Sequence, residues 1–198
     1  MRGWVGVRTR TSTRSLLARP TRTTLAVGTV GLVVCLAAAC SANAVEVRRA
    51  GGPDSNGVMS SAMADMKRGE PMFVGLMSIC VAGADDGTVT EVRAIDAAEV
   101  TVTSFTVVPG AADDAADRGS LTRSGYDVSH HVVSSQCGSA GLDGVSTLLV
   151  ELEREVDQSR TLEGFDVDWV AGSGSGTFSY LYQVSICAPK DDACTALQ

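Results

Sequence analysis

GFDVDWV at residues 164–170 and FSYLYQVSI at residues 178–186 decide the fold. Phe165, Val167 and Trp169 share one side of the first stretch, and Asp166 and Asp168 share the other. Phe178, Tyr180, Tyr182, Val184 and Ile186 repeat that period of two. Successive side chains of a strand point to opposite faces, so each stretch reads as a strand with one buried and one wet side. The intervening glycines and serines of residues 172–176 predict a flexible hairpin connection.

Further strands follow upstream. Residues 72–81 (MFVGLMSICV) form an apolar run of strand length, ended by the turn-rich residues 83–87. Residues 88–95 alternate, with Val89 and Arg93 set against Thr90, Val92 and Ala94. Residues 99–108 are rich in β-branched side chains and close at Pro109-Gly110. A fourth strand is predicted over residues 126–134. Residues 145–156 (VSTLLVELEREV) are compatible with a helix, but their β-branched ends and strand-rich neighbours favour a strand. Residues 111–119 (AADDAADRG) offer Asp113, Asp114 and Asp117 as hard oxygen ligands, yet the EF-hand order is absent, so a solvated loop is expected. About seven short strands with turn signals between them predict an all-β, antiparallel, Ig-like sandwich over residues 71–198.

The N-terminal region has a different character. Six arginines and no acidic residue precede LAVGTVGLVVCLAAAC at residues 25–40. A basic n-region, a short apolar run and small residues before a cut are the marks of a signal peptide, assigned to residues 1–39. An apolar run this short makes a helix of roughly 22 Å, against a hydrocarbon core of about 30 Å. Ala37-Ala38-Ala39-Cys40 resembles a lipobox, which makes Cys40 the lipidation site and the membrane anchor. Ala42-Asn43-Ala44 competes as an ordinary cleavage site that would release a secreted protein starting at Val45. Residues 40–70, with RRAGGPDSNG at 48–57, are then expected to be a flexible tether.

Loss of the six leader arginines leaves 10 basic and 23 acidic residues, a formal charge of −13. That sign repels phosphate backbones, so no nucleic-acid partner is expected. Without the leader and Cys40, four cysteines remain: Cys80, Cys137, Cys187 and Cys194. An even number in an exported chain predicts two disulfides. If the first and last strands are adjacent, Cys80 pairs with Cys187 and Cys137 with Cys194. The alternative is a local Cys187–Cys194 loop with Cys80–Cys137.

Ile79-Cys80, Thr90-Glu91-Val92, Val102-Thr103-Ser104-Phe105, Arg118-Gly119-Ser120-Leu121, Gly125-Tyr126, Cys137, residues 150–154 (VELER), residues 164–167 (GFDV) and Ile186-Cys187 follow one another in that order. This order resembles a group of small secreted or lipid-anchored proteins of actinobacteria, over residues 72–188. The resemblance implies an extracytoplasmic β-rich domain. It implies no activity and no site residues, and Cys194 is additional to its pattern.

Catalytic motifs are missing. A nucleophile needs a neighbouring base, and the two histidines, His130 and His131, are adjacent in a predicted strand and therefore diverge. Nucleophile-elbow, P-loop and dinucleotide fingerprints are absent, and no cofactor or metal is expected. Met59, Met63 and Met66 fall at helical spacing, which raises a soft-metal or small-ligand carrier as the alternative function. The favoured expectation is a non-catalytic binding or interaction module. It is anchored to the outer face of the cell membrane and meets an unknown envelope protein or small ligand.

Overall fold

The computed structural model describes residues 45–49, 59–110, 116–138 and 145–195. The leader, both cleavage sites and Cys40 lie outside these residues.

Strands β9 (Arg160–Ala171) and β10 (Gly174–Ile186) form the expected hairpin. Their turn is short: Ala171 faces Gly174 across Gly172 and Ser173. Gly172 has a φ of 53°, a value that costs glycine little and suits a two-residue hairpin. Phe165, Val167, Trp169, Tyr180, Tyr182, Val184 and Ile186 are buried and share one core, with Phe178 partly buried against it. Glycines inside the hairpin make room for its aromatic residues. A Cβ on Gly176 would lie 3.0 Å from the Trp169 ring, and one on Gly164 would lie 2.2 Å from the Tyr180 carbonyl oxygen.

Strands β2 (Met59–Met63), β4 (Gly87–Ile95) and β7 (Val132–Val133) complete this sheet, in the order β2-β10-β9-β4-β7. All its pairings are antiparallel except β2 with β10, which run parallel. The other sheet runs β1 (Glu46–Arg49), β3 (Met72–Ala82), β8 (Ser146–Arg154), β5 (Val100–Pro109). A further short strand, β6 (Ala116–Arg118), pairs with the first residues of β3, and β1 pairs with its last. Together β1 and β6 line the edge of β3 that faces away from β8. The protein is thus all-β, with two sheets enclosing the main core. A smaller cluster of Phe73, Leu121 and Leu149, with Val108, Tyr126 and Val128, forms where residues 121–128 pack on the first sheet.

Several expectations are corrected. Ten strands are present among the described residues, against about seven expected, because short strands held by their partners carry little pattern of their own. The domain does not begin at residue 71: β1 and β2 lie in the segment expected to be a tether. Val47 is 2% exposed and Met66 fully buried, so both belong to the core. The methionines do not form a helical stripe either. Met59 and Met63 stand on a strand, Met66 is in the core, and Met63 packs against that core. The strand expected at residues 126–134 shrinks to two residues. Part of the 111–119 loop is strand β6, which includes Asp117; Asp113 and Asp114 lie outside the described residues. The expected strand at residues 145–156 is found as β8.

The first long strand and the last belong to different sheets, which decides the disulfides. Cys80 bonds to Cys137, and Cys187 to Cys194. The pairing through adjacent first and last strands is overturned because β3 and β10 are not neighbours.

The two ends of the sandwich are closed differently. At one end a strap, residues 127–137, crosses from sheet to sheet. The Val107 amide of β5 donates to the His130 carbonyl (2.8 Å), and the Val89 amide of β4 donates to the His131 carbonyl (3.0 Å). Val81 of β3 then donates to Ser135 and accepts from Cys137. At the other end sits Arg154, 1% exposed. Its guanidinium donates to the carbonyls of Val156 and Gln158, each at 2.6 Å, and of Met66 at 2.5 Å. Nearby, the Met66 amide donates to the Cys187 carbonyl, next to the second disulfide.

On the outer face of the second sheet, Arg93 makes two hydrogen bonds to Asp168, at 2.5 and 3.0 Å, and an ion pair with Glu91. Arg93 and the Thr177 hydroxyl together pull the Asp168 carboxyl down to about 2. A carboxyl with a depressed pKa stabilises the fold in its ionised form. That contribution is complete above the unfolded value, near 3.9, and is lost as pH falls toward 2. Asp168→Asn is therefore expected to reduce stability at pH 7 while flattening its decline between pH 4 and pH 2. Urea unfolding across that range checks this, and a decline as steep in the variant as in the wild type would refute it.

Candidate functional site

The residues of interest lie where β5, an edge strand of the first sheet, faces the part of β4 beyond its two-residue pairing with β7. Each carries a register shift there. In β4 the shift falls between Val89 and Glu91, leaving Thr90 as the extra residue. In β5 it falls between Val102 and Ser104, leaving Thr103 as the extra residue. Bulges of this kind bend a strand and re-aim its side chains. The β4 bulge explains why Val89 and Val92 are both buried despite their odd spacing. It also corrects the expected faces of residues 88–95, which set Val89 with Arg93 against Val92.

Between the bulges is a cleft of about 370 Å³. Thr90, Glu91, Val92, Val102, Thr103, Ser104, Phe105, Val128 and His131 line it. Its character changes with depth. Val92, Val102 and Phe105 belong to or pack against the core, whereas Thr90, Glu91 and Thr103 are exposed at the rim. Thr103 donates to the Glu151 carboxylate (2.9 Å), whose other oxygen accepts from the Leu121 amide (2.7 Å). The β5 bulge is thereby tied to the loop over the first sheet.

His131 closes one end of the cleft. Its ring stacks on Phe105, with centroids 4.3 Å apart and planes 23° apart. Its Nε2 lies 3.0 Å from the Val128 carbonyl, so that nitrogen carries the hydrogen. His130 turns elsewhere: its Nδ1 donates to the Val107 carbonyl (2.7 Å), beside a second cleft of about 290 Å³ that also includes Tyr126 and Asp127. The two histidines do turn to different partners, but not by alternating along a strand: neither lies in one, since β7 begins at Val132. A turn positions both. The Asp127 carboxylate accepts from the Ser129 hydroxyl (2.6 Å) and amide (2.9 Å), and those bonds hold its pKa below the ordinary carboxylate value. Thr106, 1% exposed, presents its hydroxyl to the carbonyls of Asp127 and His130.

The structure separates the sequence candidates. Met66 is in the core, its amide bonded to the Cys187 carbonyl just past β10, and β2 stands at the opposite edge of the second sheet from β7. The side chain of Met59 lies outside the described part. Among the described residues, no group of three or more His, Cys, Asp or Glu side chains is placed to hold a metal ion. Four of the six cysteines form two disulfides, which indicate an oxidising, extracytoplasmic environment. Among the described residues, no helix is long and apolar enough to cross a membrane. No family model, curated protein or solved structure matches the chain.

Sequence reasoning missed the cleft. One signal for it was present: two exposed residues, Thr90 and Glu91, stand between inward valines where alternation allows one.

Proposed function

We propose that the protein is an envelope lipoprotein, held through Cys40 on the outer face of the cell membrane. Its Ig-like sandwich is a non-catalytic binding module, and the β4–β5 cleft is its contact surface. The observation that carries this reading is the pair of bulges facing one another across the cleft. They hold hydroxyl groups at a rim above partly exposed apolar side chains, and such a depth profile suits recognition of a partner. Both histidine hydrogens go to backbone carbonyls, an arrangement that orients the strap rather than activating a nucleophile. Location is supported by the disulfides and by the arginine-rich leader.

The test has two arms. Growth with a tagged fatty acid is expected to label the wild type and not Cys40→Ala. An unlabelled protein beginning at Val45 would overturn the anchor. A photo-reactive side chain at Ser104, in the cleft, is expected to yield an envelope adduct. The same group at Leu181, exposed outside the cleft, is expected to yield none. Adducts of equal yield at both positions, or none at either, would overturn the contact surface.

A further inference from the structure

The strap shows what fits between the two sheets. Where its backbone runs along the seam, it bonds to both edges at once: the His130 carbonyl accepts from β5 and the His131 carbonyl from β4. Val132 and Val133 then pair with Thr88 and Gly87. In effect, one half of the seam between β4 and β5 is already filled by an extended chain. The turn at Asp127–Ser129 carries that chain away from the other half. Beyond Val89, β4 pairs with β9; before Val107, β5 pairs with β8. Among the described residues no further strand covers either edge. The uncovered half of the seam is the cleft.

We infer that this half of the seam binds an extended peptide of a partner protein, added as a strand in continuation of the strap. The inference rests on the binding-module reading and names its class of partner. Strand addition draws affinity from backbone hydrogen bonds and specificity from pockets for alternate side chains. Both are provided here. Among the described residues no strand pairs with either facing edge here, whereas in the filled half the strap bonds to both. Residues 91–95 span about 13 Å at 3.3 Å per residue, so the site holds about four residues of extended chain. The peptide's inward side chains meet Val92, Val102 and Phe105 and are apolar. Its outward side chains meet Thr90, Glu91 and Ser104 and are polar. Glu91 at the rim is already ion-paired with Arg93, so the preference for basic residues at those outward positions comes mainly from the formal charge of −13 that the chain carries without its leader. The partner thus presents alternating apolar and basic or hydroxyl residues in an exposed, extended segment.

The bulges fit this role. An exposed pair of regular edges invites indiscriminate pairing, and a bulge on each limits the length of strand that can dock in register.

The probe is acetyl-Val-Lys-Val-Thr-Val-Lys-amide, titrated into the disulfide-intact protein and followed by amide chemical shifts. Shifts are expected at residues 90–95 and 102–105 and at His131. An analogue N-methylated at alternate residues keeps every side chain but loses backbone donors. It is expected to bind about tenfold more weakly. Glu91→Lys is expected to weaken the parent peptide about fivefold. Equal binding of the N-methylated analogue would overturn strand addition, as would shifts confined to other surfaces or no binding at millimolar peptide. If the peptide fails while the Ser104 adduct still forms in the envelope, strand addition falls and the binding module stands. Loss of both overturns both.

Discussion

Arg154→Ala is expected to cost about 3–5 kcal/mol, the largest effect of any substitution away from the disulfides. The guanidinium is buried at the end of β8 and satisfies the carbonyls of Met66, Val156 and Gln158. Burial pulls its pKa below the ordinary arginine value, yet the group stays charged. Among the described residues its Nε meets no hydrogen-bond partner, so the site carries one unmet donor there. Removing the side chain takes this donor from the Met66 carbonyl in a buried site, at roughly 1–3 kcal/mol, and from the carbonyls of Val156 and Gln158 in partly exposed ones, where water offsets part of the loss; the cavity left behind adds the rest. Arg154→Met separates the causes. It restores much of the volume and none of the donors, so it is expected to recover less than half of the loss in urea unfolding. Full recovery would mean that packing, not carbonyl pairing, explains the burial of this arginine.

The second large effect is expected from the Cys80–Cys137 bond. It closes a separation of 57 residues, whereas Cys187–Cys194 closes only 7. Chain-entropy arguments give about 4 kcal/mol for the first and about 2.5 kcal/mol for the second. Replacing Cys80 and Cys137 together by alanine is therefore expected to lower the urea midpoint more than replacing Cys187 and Cys194. The two losses also differ in place. The first bond holds the strap, and with it the stack of His131 on Phe105, so its removal is expected to broaden the signals of residues 127–137. The second holds the short C-terminal helix, α1 (Asp192–Thr195). If the shorter loop proves the more costly, native contacts around Cys187 outweigh chain entropy.

The sequence made the long strands legible and left their arrangement hidden. Residues 164–186 announced themselves because Phe165, Val167, Trp169 and the tyrosines keep perfect alternation on a sheet with one wet face. Residues 88–95 read as a strand, but alternation alone gives the wrong faces, since one extra residue at Thr90 inverts the phase of everything after it. The glycines and Pro53 between β1 and β2 dominate local composition, so that stretch reads as a tether. What holds those strands is a partner distant in the chain, and composition does not register that. The same limit hid the cleft. Its residues come from three segments, 90–92, 102–105 and 128–131, that meet only when the sheets close. The disulfides were countable but not assignable, because connectivity depends on which strands share a sheet.

The parallel pairing of β2 with β10 has a kinetic consequence. Met59 stands opposite Tyr182, so nearly the whole domain lies between two adjacent strands. Such a pairing carries a high contact order and closes slowly. A nascent chain that has delivered β2 but not β10 has an unpaired edge and an incomplete core. The second sheet therefore stays incomplete until its last strand emerges, and the unfinished chain is exposed to proteolysis if synthesis stalls.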